Sequence, residues 1–136
     1  MTDAQYRSWI QTLPSCLDGQ SFSEYLEHLG EWRNPACHVR RARTFGTGFR
    51  DVPCTTIPLT HAQHAYQHQH GELACLMKFS RDPELICALK NASPVEAERI
   101  AAGWFDAQVE KYRARWMRET PEGRKWAAGQ NVEVTA

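Results

Sequence analysis

The chain has 136 residues and equal numbers of acidic and basic side chains, so its formal net charge at pH 7 is zero. A hydrophobic fraction of 42% with five tryptophans excludes a disordered chain, and the length predicts a single domain over residues 1–136. Zero net charge does not exclude a nucleic-acid partner, because a local basic surface is enough to meet phosphates.

The cysteines and the amino-terminal residues predict a soluble, cytoplasmic protein. Five cysteines at irregular spacing do not make a disulfide framework. The first residues lack the basic start and apolar run of a signal peptide, and no stretch approaches the length of a transmembrane helix. We therefore expect an intracellular protein with no membrane partner.

The amino-terminal part of the chain predicts a helix followed by an insertion. Residues 3–12 place apolar side chains on one helical face, and Pro14 ends that helix. Residues 21–29 fit a second short helix, or part of an inserted excursion over residues 17–33.

Two strands are predicted next. Residues 35–39 should end the first strand, with Cys37 and His38 at its tip, and the β-branched residues 55–59 should form the second. Between them, Gly46 and Gly48 suit a close backbone approach, for which a phosphate is one candidate.

A histidine-rich helix follows the second strand. Thr60 and Gln63 fit a capping box, and Gly71 fits a C-terminal cap. Four of the six histidines fall within this segment: His61, His64, His68 and His70. At about 100° per residue the first three lie within roughly 60° of one another, whereas His70 points away. Such a stripe either presents metal ligands or lines a polar cleft.

The rest of the chain is predicted to be mostly helical. Residues 73–79 fit a short helix or strand, and residues 83–89 fit a helix. The clearest helix starts at Ser93 and continues to about Arg118, so the helical extension spans residues 83–120. Residues 127–136 have the composition of a frayed tail.

Basic residues occur in two groups. Near the Cys37–His38 pair they are Arg33, Arg40, Arg41, Arg43 and Arg50. On the outer face of the long helix and beyond it they are Lys111, Arg113, Arg115, Arg118, Arg124 and Lys125. The first group predicts phosphate contacts. The second fits either an extension of that surface or an ordinary solvated face.

The spacing of His64 and His68 is the strongest chemical signal. Imidazoles at i and i+4 of a helix can bind one divalent ion together. Two ligands do not make a site, so a third donor must come from elsewhere. Cys37 and His38 are the nearest candidates in sequence, because one could supply a ligand and the other an unbound base.

Four stretches carry a resemblance to a known family: WIQTLPSC (9–16), ACHVR (36–40), GTG (46–48) and IPL (57–59) before the histidine helix. They resemble the small HNH endonucleases of phages and prophages, including the recombination enhancement function (Ref) group. The resemblance covers roughly residues 9–72 and implies an α+β fold. Its ββα-metal core would occupy residues 34–72, surrounded by helices and followed by a long C-terminal amphipathic helix.

The resemblance also implies roles for particular residues. Cys37 would be a metal ligand and His38 the general base, while His64 and His68 would complete the metal site. DNA would be the substrate, with Arg40, Arg41, Arg43 and Arg50 as phosphate contacts. The family usually has His or Asp where this chain has Cys37, and the middle Asn has no obvious counterpart. Asp51, or Thr55, is the candidate near that position, and His61 is a further accessory candidate.

Three functional hypotheses follow. The first is a metal-dependent endonuclease that hydrolyses DNA phosphodiesters with one divalent ion: zinc, magnesium, manganese or nickel. The second is a zinc-held module that binds nucleic acid without cutting it, favoured by the thiolate of Cys37 and the missing Asn. The third is a partner-binding protein in which the histidines are polar surface. The sequence leaves the oligomeric state open.

Overall fold

The computed structural model describes residues 2–20, 24–27, 30–39 and 54–129, which form helices and two small antiparallel sheets. In chain order the elements are α1 (Thr2–Ile10), β1 (Glu24–Leu26), β2 (Glu31–Arg33), β3 (Ala36–His38), β4 (Thr56–Pro58), α2 (His61–Phe79), α3 (Pro83–Asn91), α4 (Pro94–Glu119) and α5 (Pro121–Gly129). The α+β class predicted from the sequence is confirmed.

Strands β3 and β4 lie within the two ranges predicted for strands, residues 35–39 and 55–59, and precede the histidine helix. They pair antiparallel, with Cys37 opposite Ile57 and His38 opposite Thr56. The Val39 amide extends the pairing by donating to the Thr55 carbonyl at 3.2 Å. The strand–strand–helix order therefore brings the Cys37–His38 pair close to the start of α2.

A short helix was one of the two alternatives predicted for residues 21–29, and in the part that the structure describes a hairpin is found instead. Strands β1 and β2 pair antiparallel, with Tyr25 opposite Trp32. Their rings lie 5.6 Å apart on an exposed face, so the pair stabilises the hairpin by cross-strand contact. The apolar spacing that suggested a helix therefore serves a strand pairing.

Helix α4 forms the centre of the core. The Ser93 side chain accepts from the Glu96 amide at its start, as the capping pattern predicted, and the helix ends before Thr120. Its buried residues recur every three or four positions: Ala97, Ala101, Phe105, Val109, Tyr112 and Trp116. Although α4 has 26 residues, neither it nor any other described helix is apolar enough over sufficient length to cross a membrane.

Helix α5 is an element that the sequence did not predict. It folds back closely on the end of α4, because a Cβ added at Gly123 would lie 2.0 Å from the Trp116 carbonyl oxygen. The Thr120 hydroxyl completes this corner by donating to that oxygen at 2.8 Å and accepting from the Gly123 amide at 2.9 Å. The predicted frayed tail is therefore wrong for residues 127–129, and residues 130–136 lie outside the described part.

Helix α1 lies close to its predicted range and connects the core to the β3–β4 hairpin. The buried Tyr6 hydroxyl donates to the Thr56 carbonyl of β4 at 3.1 Å. The Tyr6 ring also packs edge-on against Trp116, with ring centroids 5.3 Å apart. One side chain thus fixes β4 relative to both α1 and α4.

Candidate functional site

Cys37 and His38 leave strand β3 on opposite faces, because successive side chains of a strand alternate. Cys37 is 1% exposed and lies in the hydrophobic core, with its thiol 3.7 Å from the Pro35 carbonyl oxygen. His38 is half-buried and lines a cavity of about 600 Å³. The hairpin therefore offers His38, and not its neighbour, to this cavity.

The start of α2 is held in place by a network around Gln63. The Thr60 hydroxyl accepts from the Gln63 amide at 3.2 Å, while the Gln63 side-chain oxygen accepts from the Thr60 amide at 2.9 Å. This confirms the predicted capping box. Ser15, in the loop after α1, donates its hydroxyl to the same Gln63 oxygen at 2.5 Å. These bonds fix the start of α2, and thus the histidines that follow, relative to the loop after α1.

Helix α2 is interrupted at Gly71, where the sequence predicted a C-terminal cap. Gly71 has φ 89° and ψ 175°, a backbone conformation that is almost restricted to glycine. The chain turns sharply there, because the rings of Tyr66 and Phe79 lie 5.6 Å apart. In a straight helix these two positions would be separated by roughly 20 Å along the axis. The element therefore consists of a histidine-bearing segment and a second segment folded back beside it.

His64 and His68 converge at the cavity. Their Nε2 atoms are 2.9 Å apart and their ring centroids 4.5 Å apart. The cavity is lined by Ala36, His38, His64, Gln67, His68, Gly71 and Glu72. Three of the predicted site residues, namely His38, His64 and His68, therefore share one cavity.

Electrostatics favour the neutral form of His64. Burial lowers the pKa of His64 below its ordinary value of 6.5, and the imidazoles of His68, His61 and His38 lower it further. A neutral imidazole has a lone pair available for a metal ion or a proton. At neutral pH this histidine is therefore in the form that metal binding requires.

The His64–His68 pair fits a divalent ion. Two nitrogens bound at about 2.0–2.1 Å to one tetrahedral ion stand roughly 3.3 Å apart. The observed separation of 2.9 Å would have to open only slightly, by side-chain rotation. Within the described ranges, no three His, Cys, Asp or Glu side chains are already arranged to hold a metal ion. A third donor would therefore have to adjust its conformation.

The ligand role predicted for Cys37 finds no support in its position. The thiol faces the core, away from the cavity that holds His38. Burial also raises the pKa of the Cys37 thiol far above its ordinary value. Cys37 is therefore not among the described residues that line the cavity, and its ligand role stays a prediction.

Two cavity residues were missed in the sequence. Gln67 and Glu72 line the cavity with the histidines. The signal for Glu72 was present, because it follows His68 by four positions and thus continues the spacing from His64 to His68. The interruption at Gly71 hid this relationship, because a helix predicted to end there leaves Glu72 outside it.

Of the remaining predicted site residues, His61 is in the described part of the chain and does not line the cavity. His61 is exposed at the first position of α2, although its imidazole is close enough to affect the pKa of His64. The others lie outside the described residues: Arg40, Arg41, Arg43, Arg50 and Asp51. Their predicted roles therefore stay predictions.

The basic face predicted for α4 is largely paired with acidic neighbours. Arg115 and Arg118 both contact Glu119, and Arg113 contacts Glu110. Arg113 also donates two bonds to the Cys54 carbonyl oxygen, at 3.3 and 3.2 Å. These contacts give the arginines structural partners, in agreement with a solvated face.

The chain matches no protein-family model, no curated protein and no solved structure. The resemblance to HNH endonucleases therefore rests on the residues and motifs quoted above.

Proposed function

We propose that this protein is a metal-dependent endonuclease of the HNH type, with β3, β4 and the histidine segment of α2 as its ββα-metal core. The observation that carries the proposal is the convergence of the His64 and His68 Nε2 atoms at 2.9 Å in the cavity that His38 also lines. His38 lies on a different element, so its presence in the same cavity is not a consequence of the i, i+4 spacing of the helical pair.

His38 has the role of general base. Hydrolysis of a phosphodiester requires a water to lose its proton, and imidazole is the side chain that most often accepts a proton in such steps. His38 lines the cavity from the hairpin, on a different element from the His64–His68 pair. It can therefore accept a proton from water while the helical pair holds the ion.

His64 and His68 have the role of ligands. Both would bind through Nε2, and the lowered pKa of His64 keeps that imidazole neutral for this purpose. A divalent ion held there supplies positive charge to the phosphodiester as negative charge builds up on its oxygens. Arg40, Arg41, Arg43 and Arg50 are the proposed contacts to the DNA backbone.

The zinc-held binding module is less well supported. One of its two arguments was the preference of a Cys37 thiolate for zinc, the other being the missing middle Asn. Because Cys37 lies in the core, the thiolate argument no longer applies to the cavity. The module remains the interpretation to adopt if the protein binds metal and DNA without cutting.

The test compares His38→Ala with wild type in two measurements: metal content and plasmid nicking with magnesium, manganese, nickel or zinc. We expect the variant to retain the ion while nicking falls by roughly 10²- to 10⁴-fold, the range of a positioned general base. His70→Ala is the matched control, since His70 is exposed on the same helix and does not line the cavity.

Two outcomes would contradict the proposal. Wild-type protein that nicks no plasmid with any of these ions is not an endonuclease. Loss of the ion together with activity in His38→Ala would make His38 a ligand and leave the base unassigned.

A further inference from the structure

The His64–His68 pair needs a third protein donor that reaches the same cavity. Cys37, the donor predicted from the sequence, does not line it. Cys37 is 1% exposed in the core, and its strand directs the neighbouring His38 toward the cavity instead. Apart from His38, the polar side chains of the described residues that line this cavity with the histidine pair are Gln67 and Glu72. Within the described part of the chain, the candidates for the third donor therefore lie on α2 itself.

The turn at Gly71 brings Glu72 to the histidine pair. In a continuous helix the backbone of Glu72 would lie roughly 12 Å along the axis from that of His64, too far for both side chains to bind one ion without strain. The helix is not continuous, since Gly71 has φ 89° and the Tyr66 and Phe79 rings meet at 5.6 Å. The chain therefore turns back at this point, and half-buried Glu72 lines the cavity beside His64 and His68.

A carboxylate is also the better donor chemically. The Gln67 amide is neutral, whereas a glutamate supplies a negatively charged oxygen that both zinc and the harder ions accept. Two histidines and one glutamate form a known set for catalytic zinc, with a position left open for water. Replacing a sulfur donor by oxygen also makes manganese and magnesium more acceptable occupants.

We propose that Glu72, and not Cys37, is the third protein ligand of the His64–His68 site. This inference rests on the proposed function, because it concerns the same ion. It assigns the site two imidazoles and one carboxylate, and it leaves His38 unbound as the base. Rotation about the side-chain bonds of Glu72 would bring its oxygens into position.

The test measures binding of Mn²⁺ alone and the electronic spectrum of the protein with Co²⁺, without any DNA. Glu72→Gln keeps the size of the side chain and removes its charge, and we expect it to weaken Mn²⁺ binding at least about tenfold. Glu98→Gln is the matched control, since Glu98 is exposed on α4 away from the cavity, and it should bind as wild type does. The wild-type Co²⁺ spectrum should lack the sulfur-to-metal charge-transfer band of a thiolate ligand.

The outcomes separate this inference from the function on which it rests. If wild type binds Mn²⁺ and nicks DNA while Glu72→Gln binds equally well, the inference is overturned and the endonuclease proposal stands. A thiolate band in the wild-type Co²⁺ spectrum would overturn it in favour of Cys37. Wild type that binds neither Mn²⁺ nor Co²⁺ would overturn the inference, and the nicking assay with magnesium, nickel or zinc would then decide the endonuclease proposal separately. The far-ultraviolet circular dichroism spectrum of Glu72→Gln, compared with that of wild type, shows whether the variant is folded when its metal binding is lost.

Discussion

The Cys75 thiol donates to the Gln63 carbonyl oxygen at 3.7 Å, although the two residues are twelve positions apart. In a straight helix they would be separated by roughly 18 Å along the axis. The contact exists because the second segment of α2 lies back along the first. A single glycine therefore determines which residues share the cavity.

Gly71→Ala should destabilise the protein by about 1–3 kcal/mol, because a side chain makes the backbone conformation with φ 89° unfavourable. An added Cβ would meet nothing within 4 Å, so the cost comes from the backbone alone. Urea unfolding followed by tryptophan fluorescence measures it. Gly103→Ala is the control: it lies within α4 with open space around it, and alanine there should stabilise by about 0.5–1 kcal/mol. Equal effects at both positions would contradict the role given to Gly71.

His68→Ala should abolish tight metal binding, because it leaves His64 without the partner whose Nε2 lies 2.9 Å away. The metal content of the purified protein after dialysis against zinc or manganese measures this. The exposed His61→Ala variant, on the same helix, should keep its ion. Unchanged stoichiometry in His68→Ala would remove the pair from the candidate site.

Stability without metal should fall as the pH drops below the ordinary value for histidine. Folding lowers the pKa of His64 below 6.5. As the pH falls, His64 is therefore protonated in the unfolded chain before it is protonated in the folded protein, which stabilises the unfolded state relative to the folded one. The loss of this contribution to stability begins near pH 6.5 and is complete below the lowered pKa of His64. Urea midpoints with a chelator present, measured above and below 6.5, should differ less for His64→Gln than for wild type. Identical pH dependence in the two proteins would contradict this.

Joint replacement of Arg40, Arg41 and Arg43 by alanine should weaken DNA binding to a similar extent for all sequences. Each lost phosphate contact removes about one unit from the slope of log affinity against log salt concentration. Binding titrations at several salt concentrations measure that slope. Arg99→Ala is a suitable control, because Arg99 is exposed on α4 and pairs with Glu96. A slope that is unchanged in the triple variant would show that these three arginines do not contact phosphates.

Features encoded by neighbouring residues were predictable from the sequence. The capping box at Thr60, the Ser93 cap and the break at Gly71 depend on side chains within a few positions, so the local pattern is sufficient. The β1–β2 hairpin was not predictable in this way. The pairing of Tyr25 with Trp32 joins residues seven positions apart across a turn, and their apolar spacing fits a helix equally well.

The candidate site was predicted in part for a similar reason. The spacing of His64 and His68 determines their convergence once the helix forms, and the prediction that they meet agrees with the 2.9 Å separation. Cys37 was placed with His38 because the two are adjacent, yet alternation along a strand makes adjacent side chains diverge. Glu72 was missed because its proximity depends on the direction that the chain takes after Gly71.

The two ends of the segment between residues 39 and 54 are anchored independently of what lies between them. Val39 pairs with Thr55 at 3.2 Å, while the Cys54 amide donates to Asp3 at 3.1 Å and its carbonyl oxygen accepts from Arg113. The entropy of joining two such fixed points grows only with the logarithm of chain length, about 0.6 kcal/mol for each doubling. The closure entropy of this connection therefore depends only weakly on its length, so its anchored ends can accept a longer or shorter segment at a small entropic cost.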